Sequence, residues 1–285
     1  MKSENEYAVF ILSHGRADNV RTIEMLKNGN YSGEWFIVID DEDNDAEKYF
    51  ELFGDHVIQF CKKEIADQTD TCDLDTDRRV GVFARNFIID EAKRRGYKYH
   101  LQLDDDFTRL DYRYVKKNRL VDKKCTQFDA LFAAMVEFLK TTDTVWLSFG
   151  LSNYYLGGMK NTHVLDGLLR KTMGSFFMNT EKAPKFFCRM NDDITTNIMC
   201  TYRGALMFTF LPIQVLTPPT QHDAGGMTDI YQENGTYRKS FYSILHAPSF
   251  VLISRQGVKD KRVHHEIKWV SCAPKILNQR YKKNV

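Results

Sequence analysis

Leu101-Gln102-Leu103-Asp104-Asp105-Asp106-Phe107 is a short apolar run that ends abruptly in three carboxylates. Alternation through Tyr97, Tyr99, Leu101 and Leu103 reads as a buried strand, so the acidic triplet falls at its carboxyl end. In an open α/β sheet that edge is where ligands bind. Three adjacent like charges repel one another unless something positive sits among them, and hard divalent cations with carboxylate ligands are the usual answer. A solvated acidic turn is the competing reading of an isolated Asp-Asp-Asp.

Upstream of the triplet, Val80 to Ala92 carries apolar residues at helical spacing around Arg85-Asn86, and Gly96 closes that helix. Tyr7-Ala8-Val9-Phe10-Ile11-Leu12-Ser13 is a near-continuous apolar run, the mark of a central parallel strand covered on both faces. It breaks at His14-Gly15-Arg16, and Asp18 or Asn19 is placed to cap a helix through Val20, Ile23 and Leu26. A glycine at a strand-to-helix turn lets backbone approach a ligand, and Arg16 beside it could pair with phosphate; an ordinary turn competes. Trp35 to Ile39 is a second strand running into Asp40-Asp41-Glu42-Asp43-Asn44-Asp45, and His56 to Phe60 a third. The Asp-rich segment 64–79 reads as a loop, as do the acids after Asp41. The first 106 residues thus alternate strand and helix, which predicts a doubly wound α/β sheet.

Downstream, the charge- and tyrosine-dense stretch from Arg109 to Lys124 reads as a surface excursion. Phe128, Leu131, Phe132, Met135, Val136 and Leu139 recur at helical spacing, and Val145 to Gly150 is the next strand. Aromatics gather around Gly157 and Gly174, where they could stack on an acceptor sugar or base or simply pack the core. Asn191-Asp192-Asp193 opens a helix through Ile198, Met199 and Tyr202 that stops at Gly204; acids in a first turn complement the helix dipole, which alone would explain one of them. A strand from Gly204 to Phe210 leads through Pro218-Pro219 to Thr220-Gln221-His222-Asp223, and Ser249 to Ser254 is a further strand. His264-His265 invites a metal reading, but on an alternating segment the two side chains face opposite ways.

An Arg-Asn pair on a helix, then a strand ending in Asp-Asp-Asp, resembles the nucleotide-sugar half of GT-A glycosyltransferases. The resemblance is one of motif order across most of the chain. It implies a Rossmann-like mixed sheet flanked by helices, with an elaborated acceptor side and C-terminal region. It further implies that Asp104 and Asp106, the outer positions of an Asp-x-Asp motif, address a metal-bound nucleoside diphosphate sugar. The loop Ser13-Gly15-Arg16 would lie against the nucleotide, Asp40 or Asp41 would take the base or ribose, and Arg85 and Asn86 would flank the donor. An acidic pair at a helix start followed by helix, glycine, strand and a lone histidine is similar to the acceptor half of inverting GT-A enzymes. That similarity gives Asp192 or Asp193 as the catalytic base and His222 as a third metal ligand beside Asp104 and Asp106, with Mn²⁺ or Mg²⁺ as the ion. The stretch Asp223 to Met227 could close over the diphosphate, with Arg238 and Lys239 near enough in sequence to reach its phosphates. A UDP-sugar is the favoured donor, since a carboxylate accepts well from uracil N3–H and from ribose hydroxyls. The opening Ser13-His14-Gly15-Arg16 resembles phage-type transferases that glycosylate hydroxymethylpyrimidines in DNA, relatives of the base J glucosyltransferase.

With 285 residues, 43% of them hydrophobic, the chain can bury a proper core, and it reads as one GT-A-like domain over 1–285: a nucleotide-sugar half, 1–110, and an acceptor half, 111–285. No run approaches the ~18 apolar residues of a membrane span, and Met1 to Glu6 lacks a signal-peptide pattern, so the expectation is a soluble cytoplasmic protein. Six cysteines lie scattered without a Cys-x-x-Cys pair and read as reduced structural thiols. The net charge of +2 hides an asymmetry: residues 1–110 hold 15 basic against 24 acidic residues (−9), and residues 111–285 hold 25 against 14 (+11). A basic acceptor half suits a nucleic-acid partner, and equally a merely solvated surface. Transfer to a glycan or protein is the alternative within the same chemistry. A nucleotidyltransferase would show a Gly-rich phosphate loop with a lysine near its start, which is not found. A non-catalytic DNA-binding protein would leave two acidic clusters at element ends unexplained.

Overall fold

The computed structural model describes residues 6–161, 164, 167–218, 237–256 and 262–272. The apolar run at the start forms β1 (Tyr7–Leu12), and β2 (Trp35–Asp40), β3 (Val57–Phe60) and β4 (Tyr99–Asp104) join it in parallel, in the order β3-β2-β1-β4. All four strands therefore release their carboxyl ends at one edge, and Leu12 pairs with Asp104 there. The connecting helices are α1 (Arg21–Asn28), α2 (Ala46–Phe53), α3 (Lys62–Gln68) and α4 (Val82–Arg94). The pleat of β1 sorts its side chains: Val9 and Ile11 join Ile23, Leu26 and Tyr49 on one face, while Ala8 and Phe10 join Phe83, Ile88 and Ile89 on the other. A strand buried on both faces has no use for polar residues, which is why its run is continuous.

Beyond β4 the sheet turns mixed. Helix α5 (Phe128–Thr141) buries the six residues its spacing marks and leads into β7 (Thr144–Leu151). β9 (Phe176–Asn179) inserts antiparallel between β4 and β7, and β10 (Leu206–Leu216) runs parallel to β7. The stretch read as a surface excursion is a hairpin, β5 (Arg109–Lys116) and β6 (Arg119–Lys124), that extends the sheet beside β10. Its turn is Lys117-Asn118, both at positive φ (49° and 59°), the mirror-image turn that suits strand twist. β8 (Leu168–Leu169) adds to β10, so the described sheet has ten strands. The chain is a mixed α/β fold, its central, mostly parallel sheet flanked by helices.

Helix α6 (Asp192–Tyr202) carries the second acidic pair and packs with α7 (Tyr237–His246), α8 (Trp269–Cys272) and a small sheet of β11 (Val251–Gln256) with β12 (Arg262–Ile267). Three local expectations change. The first five residues of the 64–79 loop belong to α3. Neither Asp18 nor Asn19 caps α1 by a side-chain hydrogen bond; both lie in a 3-10 turn, and Val20 precedes the helix. His264 and His265 do not diverge: their rings lie 4.4 Å apart. Among the described residues no helix is long and apolar enough to cross a membrane.

Gly29 ends α1 where Phe128 begins α5, and the Phe128 N–H donates to the Gly29 carbonyl at 2.9 Å. A Cβ on Gly29 would lie 2.4 Å from ring carbons of the buried Phe128. Gly29→Ala is therefore expected to cost about 1–3 kcal/mol by overpacking. Urea denaturation measures it; an unchanged midpoint would show that Phe128 yields freely.

Candidate active site

The pleat of β4 divides the acidic triplet. Asp104 and Asp106 are half-exposed, whereas Asp105 between them is buried. Asp105 turns into the protein, accepting from Ser13 Oγ at 2.6 Å and Arg16 Nη1 at 2.8 Å. Thr22 at the start of α1 fixes the backbone beneath: its hydroxyl donates to the Asp104 carbonyl (2.6 Å), its N–H to the Asp105 carbonyl (3.1 Å), and the Phe107 N–H returns to its hydroxyl (3.1 Å). Ser13 and Arg16, expected against the nucleotide, thus bind the triplet to the first loop. Gly15, at φ +64°, gives its N–H to Asp43 at 2.9 Å.

The two acidic clusters meet at Arg85. Its guanidinium donates through Nη2 to Asp104 Oδ1 at 3.0 Å, and its Nε lies 3.2 Å from Asp192 Oδ2. The side chain is 10% exposed and lies over the rings of Phe176 (4.9 Å) and Phe186 (5.8 Å). Burial pushes the Asp192 carboxyl up to about 7, with Arg85 pulling against it and Asp193 and Asp104 adding to it. Asp193 is pushed up for the same first reason, again against Arg85. Asp193 accepts from the N–H groups of Ile194 (2.7 Å) and Gly174, while Asp192 Oδ2 has no hydrogen-bond donor among the described residues. Asn191 precedes the pair in the left-handed conformation, φ 55°, and its amide donates to the Lys239 carbonyl at 2.7 Å and meets His265 Nδ1 at 3.2 Å. That contact buries His265, and burial holds its imidazole down at about 3.

Other expected residues are placed differently. Asn86 is spent on structure: its amide donates to the Phe186 carbonyl (2.8 Å) and accepts from the Phe186 N–H (2.7 Å). Asp40 is flanked by His14 Nδ1 at 3.0 Å and the buried Lys62 Nζ at 3.1 Å. Burial works to raise Asp40, but these two partners hold it below its ordinary value; the Asp40 bond in turn raises His14. Asp41 is exposed and accepts the Lys62 N–H at the start of α3 (2.8 Å). Asp43 is buried rather than solvated. Arg238 pairs with Asp75 and, at 3.5 Å, Asp73, in a network that Arg189 and Tyr242 share. His222 lies outside the described residues. The aromatics at Phe176 and Phe177 are core, fully buried. Sequence reasoning missed Lys171, whose ammonium lies 4.5 Å over the Tyr154 ring and is pushed down to about 8 by burial, with Asp193 opposing; a lone lysine in an aperiodic stretch gives no signal.

The TET-associated glycosyltransferase model matches residues 7–226, more than half of the chain and both acidic clusters. The chain belongs to this family. The TET-associated glycosyltransferase is an enzyme of sugar transfer, which sets aside the nucleotidyltransferase and the non-catalytic DNA-binding protein. No curated protein matches it. Among solved structures it is similar to glucosyl-3-phosphoglycerate synthase from Mycobacterium tuberculosis, crystallised with Mn²⁺, UDP and phosphoglyceric acid (11% identity, 93% of this chain and 88% of that one, TM-score 0.48). It is also similar to S. aureus TarS 1–349 (13%, 75% and 58%, 0.40) and to the galactosyltransferase LgtC with donor and acceptor sugar analogues (14%, 61% and 58%, 0.33).

One acid of the transferase's triplet is lifted well above the usual carboxylate range. Burial, with Asp104 and Asp105 beside it, pushes Asp106 from 3.8 up to about 7, Arg16 pulling the other way. The native state therefore holds a proton that the unfolded chain releases near pH 4. Relative to Asp106→Asn, the metal-free wild type is expected to lose stability as pH rises from about 4 to about 7, then to change no further. Thermal melts across that range measure the difference; parallel profiles would show Asp106 to be an ordinary exposed acid.

Proposed function

We propose that the protein transfers a sugar, with inversion, from a nucleoside diphosphate sugar to a hydroxyl on a hydroxymethylated pyrimidine in DNA. The carrying observation is that Arg85 draws Asp104, at the end of a parallel strand, and Asp192, at a helix start, to one sheet edge. A donor-side acid and an acceptor-side acid there share a single cation.

Asp104 and Asp106 fit a divalent cation: they are hard oxygen donors on one side of the strand end, and Asp106, raised first by burial and then by Asp104 and Asp105, has only Arg16 pulling the other way. Mn²⁺ or Mg²⁺ held there, with His222 as the candidate third ligand, would supply Lewis-acid neutralisation of the diphosphate. The donor lies along the carboxyl ends of β1, β2 and β4. Asp41, exposed and with one oxygen engaged among the described residues, takes the base or ribose of UDP, and Asp40 orders that corner through His14 and Lys62. Arg238 acts through Asp75 on the 70–77 loop, and Lys239 through its carbonyl on Asn191.

Asp192 is the better base of the pair, because among the described residues Asp193 accepts from two backbone N–H groups, whereas Asp192, whose Oδ2 is paired with Arg85, is pushed up to about 7. The acceptor oxygen bonds to the anomeric carbon, its proton passes to Asp192, and the bond from that carbon to the diphosphate oxygen breaks with its electron pair. Attack from the face opposite the leaving group inverts the centre. The half bearing +11 supports a polyanionic acceptor, as does the resemblance of the Ser13-His14-Gly15-Arg16 opening to DNA-modifying transferases.

Asp192→Asn is expected to keep donor and DNA binding while lowering kcat about 10²–10⁴-fold, and wild-type kcat to fall about tenfold per unit as pH drops below about 7. Asp106→Ala and EDTA should each abolish turnover. The deciding measurement is mass spectrometry of nucleosides after hydroxymethylpyrimidine DNA is treated with protein, mixed nucleotide sugars and Mn²⁺. Glycosylated nucleosides support the proposal; labelled glycans or peptides with unmodified DNA overturn the acceptor and leave the transferase chemistry.

A further inference from the structure

Cys72, Cys188 and His246 come from three segments far apart in the chain: the loop before α4, the loop before α6, and the last residue of α7. Their donor atoms all lie within 4.8 Å of one another, with the two Sγ atoms 2.7 Å apart. Both cysteines are free thiols, Cys188 buried and Cys72 half-buried. Two backbone bonds clamp their loops together, Cys188 N–H to the Asp70 carbonyl (2.9 Å) and Arg189 N–H to the Thr71 carbonyl (3.0 Å). Asp70 Oδ1 accepts the Cys72 N–H at 2.9 Å, closing a turn that aims Cys72 at its partner. Both cysteines sit at positive φ, 64° and 74°, where a β-carbon is disfavoured and such residues mark functional constraint. The Phe187 ring meets the His246 imidazole edge-on at 5.3 Å, and among the described residues that imidazole has no hydrogen-bond partner.

We propose that Cys72, Cys188 and His246 bind a zinc ion. Two thiolates and an imidazole are the donors Zn²⁺ prefers, and they are too soft for the Mn²⁺ or Mg²⁺ assigned to the carboxylates. Tetrahedral Zn–S and Zn–N bonds of about 2.3 and 2.0 Å set the donor atoms roughly 3.5–3.8 Å apart, inside the 4.8 Å that spans the cluster, and an ion between the two Sγ atoms would part them by about 1 Å from their 2.7 Å separation. A Cys72–Cys188 disulfide would use two of the three residues and leave the unpartnered His246 unexplained. The fourth position falls to water.

The site is structural. Cys188 precedes Asp192 by one helical turn's worth of chain, Arg189 beside it grips Asp73, and His246 ends the helix whose Arg238 and Tyr242 reach the same loop. The ion ties the donor half to the helix that presents the acceptor-side acids, without touching substrate.

Metal analysis of the reduced full-length protein, after dialysis against a chelator weak enough to spare thiolate sites, is expected to give one zinc per chain. Replacement by Co²⁺ should produce intense visible bands of a tetrahedral site and a near-ultraviolet thiolate-to-cobalt band, which carboxylate ligands cannot produce. Asp106→Ala and Cys200→Ser, a thiol outside the cluster, should keep these bands; Cys72→Ser and Cys188→Ser should lose them. His246→Ala, which removes no sulfur, should retain a shifted thiolate band and weaken zinc binding at least tenfold. Zinc-free folded protein, a cobalt spectrum without the thiolate band, or recovery of a disulfide-linked Cys72–Cys188 peptide pair would each overturn the proposal. These readouts are independent of sugar transfer, so they stand whichever acceptor is found.

Discussion

A buried guanidinium holds this molecule's chemistry together. Arg85 leaves α4 beneath the carboxyl edge of the sheet and is the cation between Asp104 and Asp192. Carboxylates from two distant parts of the chain can share a partly buried site only if a positive charge lies between them, since each ion alone would cost several kcal/mol to bury fully. Arginine suits the place better than lysine, because a planar fork offers separate N–H vectors to two acids and its face can lie on aromatic rings. Phe176 and Phe186 supply those rings from β9 and the segment leading to α6, so the insertion of a short antiparallel strand beside β4 is part of what builds the site.

The same economy governs the residues around it. Arg85 and Asn86 are adjacent on a helix and so point about 100° apart. One reaches the acids, and the other clasps the backbone of Phe186, which carries the ring beneath Arg85. In the triplet the pleat makes a similar division: Asp105 is given up to Ser13 and Arg16, and that tie sets the outward direction of Asp104 and Asp106. Ser13, Arg16 and Asn86 thus help hold Asp104, Asp106 and Arg85 in place.

Periodicity explains which parts of the fold were legible. The run from Tyr7, the helical spacing of α5 and the alternation into the acidic triplet each encode burial on a known face, and burial is what those patterns report. The hairpin at Arg109 to Lys124 escaped because it lies at the sheet's end, where its outer face carries charge and its strands look like polar loop; only the Lys117-Asn118 turn betrays it. For the site, motif order brought out both acidic clusters, yet not their meeting through Arg85, since contact between residues 104 and 192 is a property of strand order. The same holds for Cys72 and Cys188, whose spacing in sequence matches no metal motif and whose thiols adjoin in space.

The loop of residues 70–77 follows from these constraints. It carries Asp70, Asp73, Asp75 and Asp77, and in isolation such a segment would be extended by its own repulsion. Here Arg189 binds Asp73 through Nε and Nη2, Arg238 takes Asp75, and Tyr242 donates to Asp73, so cations and a hydroxyl from residues 111–285 neutralise a loop of residues 1–110. The −9 and +11 halves are therefore partly matched within the molecule, and part of the charge asymmetry is internal complementarity rather than surface offered to a partner. What pairs across this seam also fixes Asp192: Arg189 lies three residues before it, and Asn191 next to it is anchored to the helix of Arg238. Asp192 takes its position from residues 1–110 twice, once through Arg85 and once through the acidic loop.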